Sequence, residues 1–548
     1  MHNQHSVRQC SAATPLAALI SPGPPADPLR KVVPMAGLHP DQIAQPSAFG
    51  LPSGPRARVA EPGTRSWALR ERNLPRLRGR VDVPLYRRDQ LRSGVVHLGV
   101  GSFHRAHQAV YFDDLARLGL TRWGITGVGL RSPRIQEALP PQDLLYTVLE
   151  QGADGARARV VGALRRYHYA PEKPTAVLTA LARRRTALVT LTLTGDGYPV
   201  DPVTGEVSGS DLQHDLDHPA EPQTAFGFLV AALEQRRRQD APGLTVLSCD
   251  NRADAAAASR AAVLLLAERR DPALVRWVEQ HVTFPDAMVD RITPVTDEGH
   301  RRLLADGFGL RDRWPVVTEP FSQWVVEDAF AGPRPPLDQV GVQFVADVAP
   351  HKRAKTRLLN GTHSALGFLG VLAGYRDTGE AMADPLLRAY VSALMAEEVA
   401  PLLPPVPGLD LVGYQQTLLT RLSNPVLVDP LARLAGRAST KVPAYLLPSL
   451  REAADRGRPH QLLALAVAAW LHCLRQPGGL GLVDVRGAEL QALAAEGRDD
   501  PRPVLAVADV FGDLGQRTLV GASIRRQLAT LADQGWRAAV ASALTSKA

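Results

Sequence analysis

Two hydrophobic patterns follow one another along this 548-residue chain. As far as about residue 346, short apolar runs typical of buried strands alternate with amphipathic stretches typical of helices. This alternation predicts a mostly parallel, doubly wound sheet. The predicted strands cover 95–100, 124–128, 187–194 and 244–249, with strand-like pieces at 287–292 and 342–346, and the predicted helices cover 106–118, 176–185 and 226–238.

After residue 346 the pattern becomes helical and rich in Ala and Leu, and Pro350 favours a helix start. The predicted helices are 355–375, 384–401, 410–422, 443–456, 459–475, 486–496 and 521–544. The predicted fold is therefore α/β, with a Rossmann-like sheet domain over 67–345 and a mainly α-helical domain over 346–548. Residues 1–66 carry many prolines without a sustained period, which predicts a disordered extension or, in part, an upstream start-site artefact, since Met35 is a plausible alternative initiator.

Composition and charge narrow the classes of function. The chain is 45% hydrophobic and 22% charged, which is ordinary for a globular protein. Its net charge of +8 includes arginine runs at 183–185 and 236–238, each at the end of a predicted helix and without interleaved aromatic residues. Cations at helix ends complement the helix dipole, so we expect no nucleic-acid partner.

Three scattered cysteines, Cys10, Cys249 and Cys473, suggest neither disulfides nor a zinc site, and no His, Cys or carboxylate cluster has metal-ligand spacing. No apolar run reaches the length that spans a bilayer. We therefore expect a cytoplasmic protein without a metal or membrane partner.

The segment from Lys355 to His363 carries candidate chemistry. At helical period Lys355 lies on an apolar face, with His363 about 80° and Asn360 about 140° away around the axis. A buried lysine is costly unless paired, and desolvation lowers its pKa. Lysine, amide and imidazole together can act as a base, an oxyanion donor and a positioning group. An equally good interpretation gives these residues no catalytic role. Lys355 would then extend out of a core helix to solvent, and Asn360 and His363 would bond to backbone groups.

A glycine turn follows the first predicted strand, in the order Gly99, Val, Gly101, Ser102, Phe103, His104. Strand, turn, helix and strand form a βαβ unit that can hold a dinucleotide pyrophosphate. The third glycine of the usual fingerprint is replaced by His104, so the motif alone is weak, and a turn without a ligand would use the same glycines. Asp250 and Asn251 follow another strand at its carboxyl end, where ligands collect in such sheets.

Several motifs in one order resemble the mannitol 2-dehydrogenase family, the polyol-specific long-chain dehydrogenases with their fructuronate reductase relatives. The matching segments are 96–115, Ser248–Asn251, 284–294, 318–324, the Lys-x4-Asn-x2-His signature from Lys355 to His363, Asn424–Pro425 and 441–448. Two segments depart from the usual pattern, Gly195–Tyr198 and the run after Arg252. These departures affect the shape of the entrance for cofactor and substrate, and they leave the residues of the Lys-x4-Asn-x2-His signature unchanged.

The resemblance implies a metal-free, NAD(P)-dependent interconversion of a sugar alcohol and its ketose. It implies that Lys355 is the general base, that Asn251 and Asn360 donate to the developing alkoxide, and that His363 orients the substrate. Asp290 would assist the lysine, although a strand-end ion pair with Arg291 is the simpler interpretation of that residue alone. The remaining implied contacts are Arg433 and Lys441 with outer substrate hydroxyls, and Gly99, Gly101, Ser102, Phe103, Arg131 and Asn251 with the cofactor.

The residues that follow the second predicted strand leave the choice between NAD and NADP open. That strand is followed by Arg131 and Arg134, and no acid occurs before Glu137. An acid at this place usually binds the adenosine ribose, whereas arginines suit a 2′-phosphate. Both arginines can equally be solvated, so NAD is expected first and NADP is possible.

Two rival functions remain, a hexuronate (fructuronate-type) reductase and a non-catalytic nucleotide-binding regulator. A substrate cleft between the two domains and a monomer or weak oligomer are expected.

Overall fold

The computed structural model describes residues 66–193, 197–208, 210–497 and 500–546. The strands of the described residues are β1 (Trp67–Ala68), β2 (Ser93–Leu98), β3 (Gly124–Gly129), β4 (Tyr146–Gly152), β5 (Gly155–Val161), β6 (Leu164–Tyr169), β7 (Leu188–Leu191), β8 (Leu244–Ser248), β9 (Val282–Thr283), β10 (Ala287–Asp290), β11 (Leu310–Arg311), β12 (Val316–Thr318), β13 (Gln323–Glu327) and β14 (Gln343–Val345). The largest sheet has six parallel strands in the order β6-β3-β2-β7-β8-β9.

Both faces of the large sheet are buried, which explains why its central strands are apolar at successive positions. On β2, Val96 and Leu98 point into one hydrophobic cluster and Val95 into another on the opposite face. Helices cover the two faces. Those of this half are α1 (Leu74–Leu77), α2 (Ser102–Ala106), α3 (Gln108–Arg117), α4 (Arg134–Ala138), α5 (Pro174–Ala182), α6 (Ser210–Asp217), α7 (Ala225–Arg238), α8 (Ala255–Arg270), α9 (Pro272–His281) and α10 (Glu298–Phe308).

Smaller sheets accompany the parallel one. β4 and β5 form an antiparallel hairpin, and β12 pairs in parallel with β4. β13 lies between β10 and β14, antiparallel to the first and parallel to the second, and β1 pairs with β11. The hairpin was not predicted, although its turn at residues 153–154 ends in Asp154 and is followed by Gly155, a pair of residues typical of tight hairpins.

From Ala349 onward the described chain is helical and surrounds one large apolar cluster. α19 lies inside this cluster, and its residues from Gln461 to Leu471 are all buried. The α-helices of this half are α11 (Ala349–Ala354), α12 (Gly361–Leu372), α13 (Thr378–Ala383), α14 (Pro385–Ala393), α15 (Leu411–Leu422), α16 (Leu431–Ala435), α17 (Ala438–Tyr445), α18 (Leu447–Asp455), α19 (Gln461–Arg475), α20 (Gly487–Gly497), α21 (Arg502–Leu505), α22 (Ala508–Phe511) and α23 (Thr518–Thr545).

The predicted fold class is confirmed: a parallel Rossmann-like sheet is followed by a helical half. The single predicted helix 443–456 is wrong, since α17 and α18 divide at Leu446, and Pro443 lies inside α17. The short α13 and α16 were missed because neither is long enough to show a clear period. The domain boundary at residue 346 stays a prediction. The predicted disordered extension falls on residues 1–65, outside the described ones, together with Ser66 at its edge.

Among the described residues, no helix combines the length and the apolar character that crossing a membrane requires. Cys249 and Cys473 are buried and unpaired. Cys10 lies outside the described residues.

Candidate active site

A widened helical turn brings the predicted catalytic residues together. α11 ends at Ala354, Lys355–Asn360 forms a π-helix, and α12 begins at Gly361. In a π-helix the hydrogen bonds join residues five apart, as Gly361 N–H to Thr356 O does here. Lys355 and Asn360 are themselves five apart, so the wider turn brings them closer together around the helix axis than a regular α-helix would. The predicted angle of about 140° between them assumed a regular α-helix, and the π-helix reduces it.

Lys355 is only 7% exposed. Its Nζ donates to Asn251 Oδ1 at 2.7 Å and to Val289 O at 2.9 Å. Burial lowers the pKa of Lys355 below that of an ordinary lysine, while the nearby Asp290 carboxylate acts in the opposite direction. The lysine therefore does not extend out of a core helix to solvent. It points across to the loop after β8 and to β10, in the sheet half of the chain.

The two predicted amide donors keep their N–H groups available. Because Asn251 accepts the lysine bond through Oδ1, its Nδ2 points away from Lys355, and the residue is exposed. Asn360 is half-buried, and within the described residues its side-chain amide has no hydrogen-bond partner. Two amides beside one buried amine can donate to an oxygen that carries developing negative charge.

Asp290 lies in a buried ion-pair triad rather than in a pair with Arg291. Arg421 on α15 donates to both of its carboxylate oxygens at 2.8 and 3.0 Å, and to both oxygens of Glu319 at 2.7 and 2.9 Å. Burial would raise the pKa of Asp290, but Arg421 holds it below the ordinary value. Arg291 bonds instead to Glu150 and to the carbonyls of Ala106 and Glu319.

Arg421 and Glu319 were missed as functional residues. Glu319 was visible within the 318–324 motif, but Arg421 ends a predicted helix and has the ordinary appearance of a dipole-compensating arginine. Its partners lie more than a hundred positions away in the chain, so no local spacing links them.

His363 presents a free imidazole edge. Its Nε2 is buried and has no partner among the described residues. Burial lowers the pKa of His363 to about 4, so the ring is neutral at neutral pH. Asp429 and Arg433 are among the charged groups that influence it. A buried ring nitrogen without a partner is costly, and a substrate hydroxyl would satisfy it.

Both predicted substrate cations are already engaged. Arg433 makes a two-point ion pair with Asp429, through Nε at 2.8 Å and a terminal nitrogen at 2.5 Å. Lys441 Nζ donates to the carbonyls of Arg433 and Leu434 at the end of α16. Burial, with Arg433 and Arg437 nearby, lowers the pKa of Lys441 to about 8.

The glycine turn after β2 has room for a ligand close to its backbone. Gly99 adopts a φ of +91°, and a Cβ there would lie 2.2 Å from Thr192 O, so only glycine fits. A Cβ on Gly101 would meet nothing nearer than 3.8 Å, which leaves open space over the turn. Ser102 is exposed and Phe103 half-buried beside it. These residues fit the pyrophosphate of a dinucleotide.

His104, which replaces the third glycine, packs inward. Its ring stacks on His97 with centroids 3.3 Å apart, and His97 bonds to Thr190 and Thr192. Burial lowers the pKa of His97 to about 3 and that of His104 well below its ordinary value. The stacked pair is therefore neutral and supports the turn from below.

An acid from a distant segment reaches the end of β3. Asp211 on α6 lies 3.1 Å from Arg131, with both side chains more than half exposed. The sequence predicted no acid near this place before Glu137, since Asp211 is 80 positions away. The structure thus places both an arginine and a carboxylate where the adenosine ribose of a dinucleotide is bound in such folds.

Nowhere in the described ranges do three or more His, Cys, Asp or Glu residues form a group that could hold a metal ion.

Known proteins match both halves of the chain. Residues 93–339 match the mannitol dehydrogenase Rossmann domain, and residues 347–532 match the mannitol dehydrogenase C-terminal domain. The mannitol 2-dehydrogenase of Aspergillus fumigatus is 42% identical over 464 residues, which is 81% of this chain and 92% of that protein. The mannitol 2-dehydrogenase of Neosartorya fischeri is 43% identical over 448 residues, or 79% and 89% of the two chains.

Two solved structures are also similar. The Pseudomonas fluorescens mannitol 2-dehydrogenase, in a ternary complex with NAD and D-mannitol, is 41% identical and superposes with a TM-score of 0.77. The match covers 88% of this chain and 100% of that one. A D-sorbitol dehydrogenase in substrate-free form is 34% identical, with a TM-score of 0.79 over 86% of this chain and 100% of that one.

Replacing Arg421 tests the buried triad. Arg421→Met leaves two buried carboxylates without their cation, which costs about 3–5 kcal/mol of unfolding free energy. Without the arginine both carboxyl pKa values rise in the folded state. The variant therefore loses more stability as pH rises through those values, and its deficit in urea unfolding should be larger at about pH 8 than at about pH 5.5.

Arg237→Met, which breaks a partly exposed pair with Asp271, serves as the control and should cost less than about 1 kcal/mol. An Arg421→Met deficit as small as that of the control, or one that shrinks toward high pH, contradicts the assignment.

Proposed function

The chain belongs to the mannitol dehydrogenase family, and from this we propose that it is an NAD(P)-dependent polyol 2-dehydrogenase that interconverts a sugar alcohol and its 2-ketose, of the mannitol/fructose type. The observation that carries the proposal is the buried Lys355 amine, which is bonded to Asn251 and influenced by the Asp290 carboxylate. Asn360 ends the same π-helix, and His363, with its free imidazole edge, lies in the helix that follows. That set of groups suits removal of a proton from a secondary alcohol.

In this proposal Lys355 accepts the hydroxyl proton at Nζ. Burial keeps a larger fraction of the amine neutral near pH 7 than in an ordinary lysine, as a general base requires. Once protonated, the ammonium is favoured by the charge of Asp290. Asp290 therefore assists the proton transfer through its field, since within the described residues it has no direct hydrogen bond to Lys355.

Asn251 and Asn360 then donate to the substrate oxygen as it gains negative charge. A donor that acts mainly on the transition state contributes about 2.7–4 kcal/mol. NAD(P), bound at the Gly99–Phe103 turn, would supply the hydride acceptor.

The two predicted substrate cations support a polyol rather than a hexuronate. A carboxylate substrate needs a cation that is free to pair with it, but Arg433 is already paired with Asp429, and the Lys441 ammonium already donates to two helix-end carbonyls. His363 is neutral and can exchange hydrogen bonds with a hydroxyl.

The test measures turnover with a panel of mannitol, arabinitol, sorbitol, fructose and fructuronate. Faster turnover of fructuronate than of every polyol and of fructose would favour the reductase alternative.

A non-catalytic regulator would not need an assembled acid–base site. Here Lys355 is bonded to Asn251, and Asn360 lies in the same π-helix as Lys355. Absence of turnover with the whole panel and both cofactors would support the regulator instead. The expected cytoplasmic location and the monomeric or weakly oligomeric state stay predictions.

Substitution of the base gives the first functional test. Lys355→Ala should lower turnover by at least about a thousandfold, because general-base catalysis alone contributes about 10²–10⁴. Cofactor affinity, measured by fluorescence titration, should change little, since the glycine turn is untouched. Lys173→Ala, at an exposed lysine of the sheet half, is the matched control and should keep wild-type turnover. A Lys355→Ala enzyme with more than a tenth of wild-type turnover at saturating polyol contradicts the assignment.

Cofactor selectivity gives the second test. Because Arg131 can meet a 2′-phosphate while Asp211 repels it, the enzyme should prefer NAD by less than about a hundredfold in kcat/KM, under 3 kcal/mol. Asp211→Asn should raise kcat/KM for NADP about two- to fivefold, the range of an exposed charge pair, with a smaller effect on NAD. Calorimetric binding of 2′,5′-ADP relative to ADP should shift in the same direction. A wild-type preference for NAD above about a thousandfold would overturn this interpretation of Arg131.

A further inference from the structure

A second lysine, Lys352, lies three positions before Lys355 on the same side of the helix. Its Nζ donates to Ala253 O at 2.7 Å and to Asp286 Oδ1 at 2.5 Å. The lysine side chain is 17% exposed, so this pair is largely shielded from water. The proposed chemistry does not use Lys352.

The two lysines connect the same three segments. Lys355 joins its helix to Asn251 and to Val289. Lys352 joins the same helix to Ala253, two residues beyond Asn251, and to Asp286, three residues before Val289. They therefore form two parallel cross-links between the helical half, the loop after β8 and strand β10.

We propose that Lys352 is a positioning residue, which with Asp286 holds Asn251 and Val289 at a fixed distance from the helix that carries Lys355. This inference rests on the proposed function. Lys355 gains and loses a proton in each cycle, so its own bonds to Asn251 and Val289 change during turnover. The Lys352 cross-link takes no part in proton transfer, and it keeps the segments in place while Lys355 changes state. Misplacement of such groups by about 1 Å can cost up to a hundredfold in rate.

The charge of Lys352 gives the cross-link a second effect. The titratable and charged groups around Lys355 are Asp290 on β10, Arg421 on α15, Lys352 on α11, and the neutral His107 between α2 and α3. Lys352 is one of the cations that lower the pKa of Lys355, after burial. Loss of this cation raises that pKa. Loosening of the packing around Lys355 would also raise it, by reducing its burial, but Asp286→Asn loosens the same contact without removing the cation.

The test compares three variants with the wild-type enzyme in polyol oxidation. Lys352→Gln should lower kcat about tenfold and move the acid limb of the kcat/KM profile upward by about 0.5 pH unit. Lys352→Arg, which keeps the charge, should restore the acid limb. Asp286→Asn breaks the cross-link but leaves the cation, so kcat should fall while the acid limb stays or moves downward.

Arg237→Gln is the matched control, because Arg237 and Asp271 form a similarly shielded pair remote from Lys355, 25% and 35% exposed. It should change neither kcat nor the acid limb, and cofactor affinity by fluorescence titration should be unchanged in all variants. The proposal is overturned if Lys352→Gln stays within twofold of wild type, if its acid limb does not move, or if Arg237→Gln reproduces its effects. If Lys352→Gln fails to fold, the test is made with Asp286→Asn, and an unchanged kcat in that variant overturns the proposal.

Failure of the proposed function is recognised separately, as absence of wild-type turnover with every polyol. The pH dependence of trace acetylation at Lys355, read by mass spectrometry, then replaces the kinetic profile. An upward shift in Lys352→Gln supports the role of Lys352, and an unshifted curve overturns it.

Discussion

The arrangement of the site depends on one buried arginine between two carboxylates. Arg421 comes from the helical half, and Asp290 and Glu319 come from the sheet half. Burial alone would lower the pKa of Arg421, but the two acids raise it well above its ordinary value, so the cation persists. Buried charges are tolerated only when they are paired and hydrogen-bonded. The triad therefore fixes the contact between the halves at the point where Lys355 crosses it.

The same triad sets the electrostatic balance at the base. Asp290 favours the protonated form of Lys355, whereas burial, Arg421 and Lys352 favour the neutral one. A lysine with only a carboxylate beside it would stay protonated and could not accept a proton. A lysine with only cations beside it would have no stable charged product. Both tendencies are needed in a base that gains and loses a proton each cycle.

The sequence predicted more of the fold than of the geometry of the candidate active site. Alternating apolar runs gave the parallel sheet, and Lys355, Asn251 and Asn360 were named from spacing and resemblance. Their positions relative to one another could not be predicted from the sequence. The hydrophobic pattern of the chain from Lys355 to Leu372 is compatible with an unbroken α-helix, and a π-helical turn does not change that pattern. Arg421, Glu319, Lys352 and Asp211 were missed for a different reason. Each acts through a partner on another element, and only tertiary packing brings such partners together.

The division of the site between two halves has a consequence for its precision. Asn251 lies in the loop after β8 and Val289 lies on β10, whereas Lys355 and Asn360 belong to a helix, so the distance between base and donor depends on how the halves pack. Sites that need positions within about 0.5 Å require supporting contacts around the reacting groups. Here the support consists of salt bridges on two sides, Arg421 with its two acids and Lys352 with Asp286. The two-point hydrogen bonds that Arg421 donates to Asp290 and Glu319 are directional, so a shift of one half against the other would break them. The halves therefore lock where the catalytic groups meet, even though apolar packing elsewhere would tolerate small displacements.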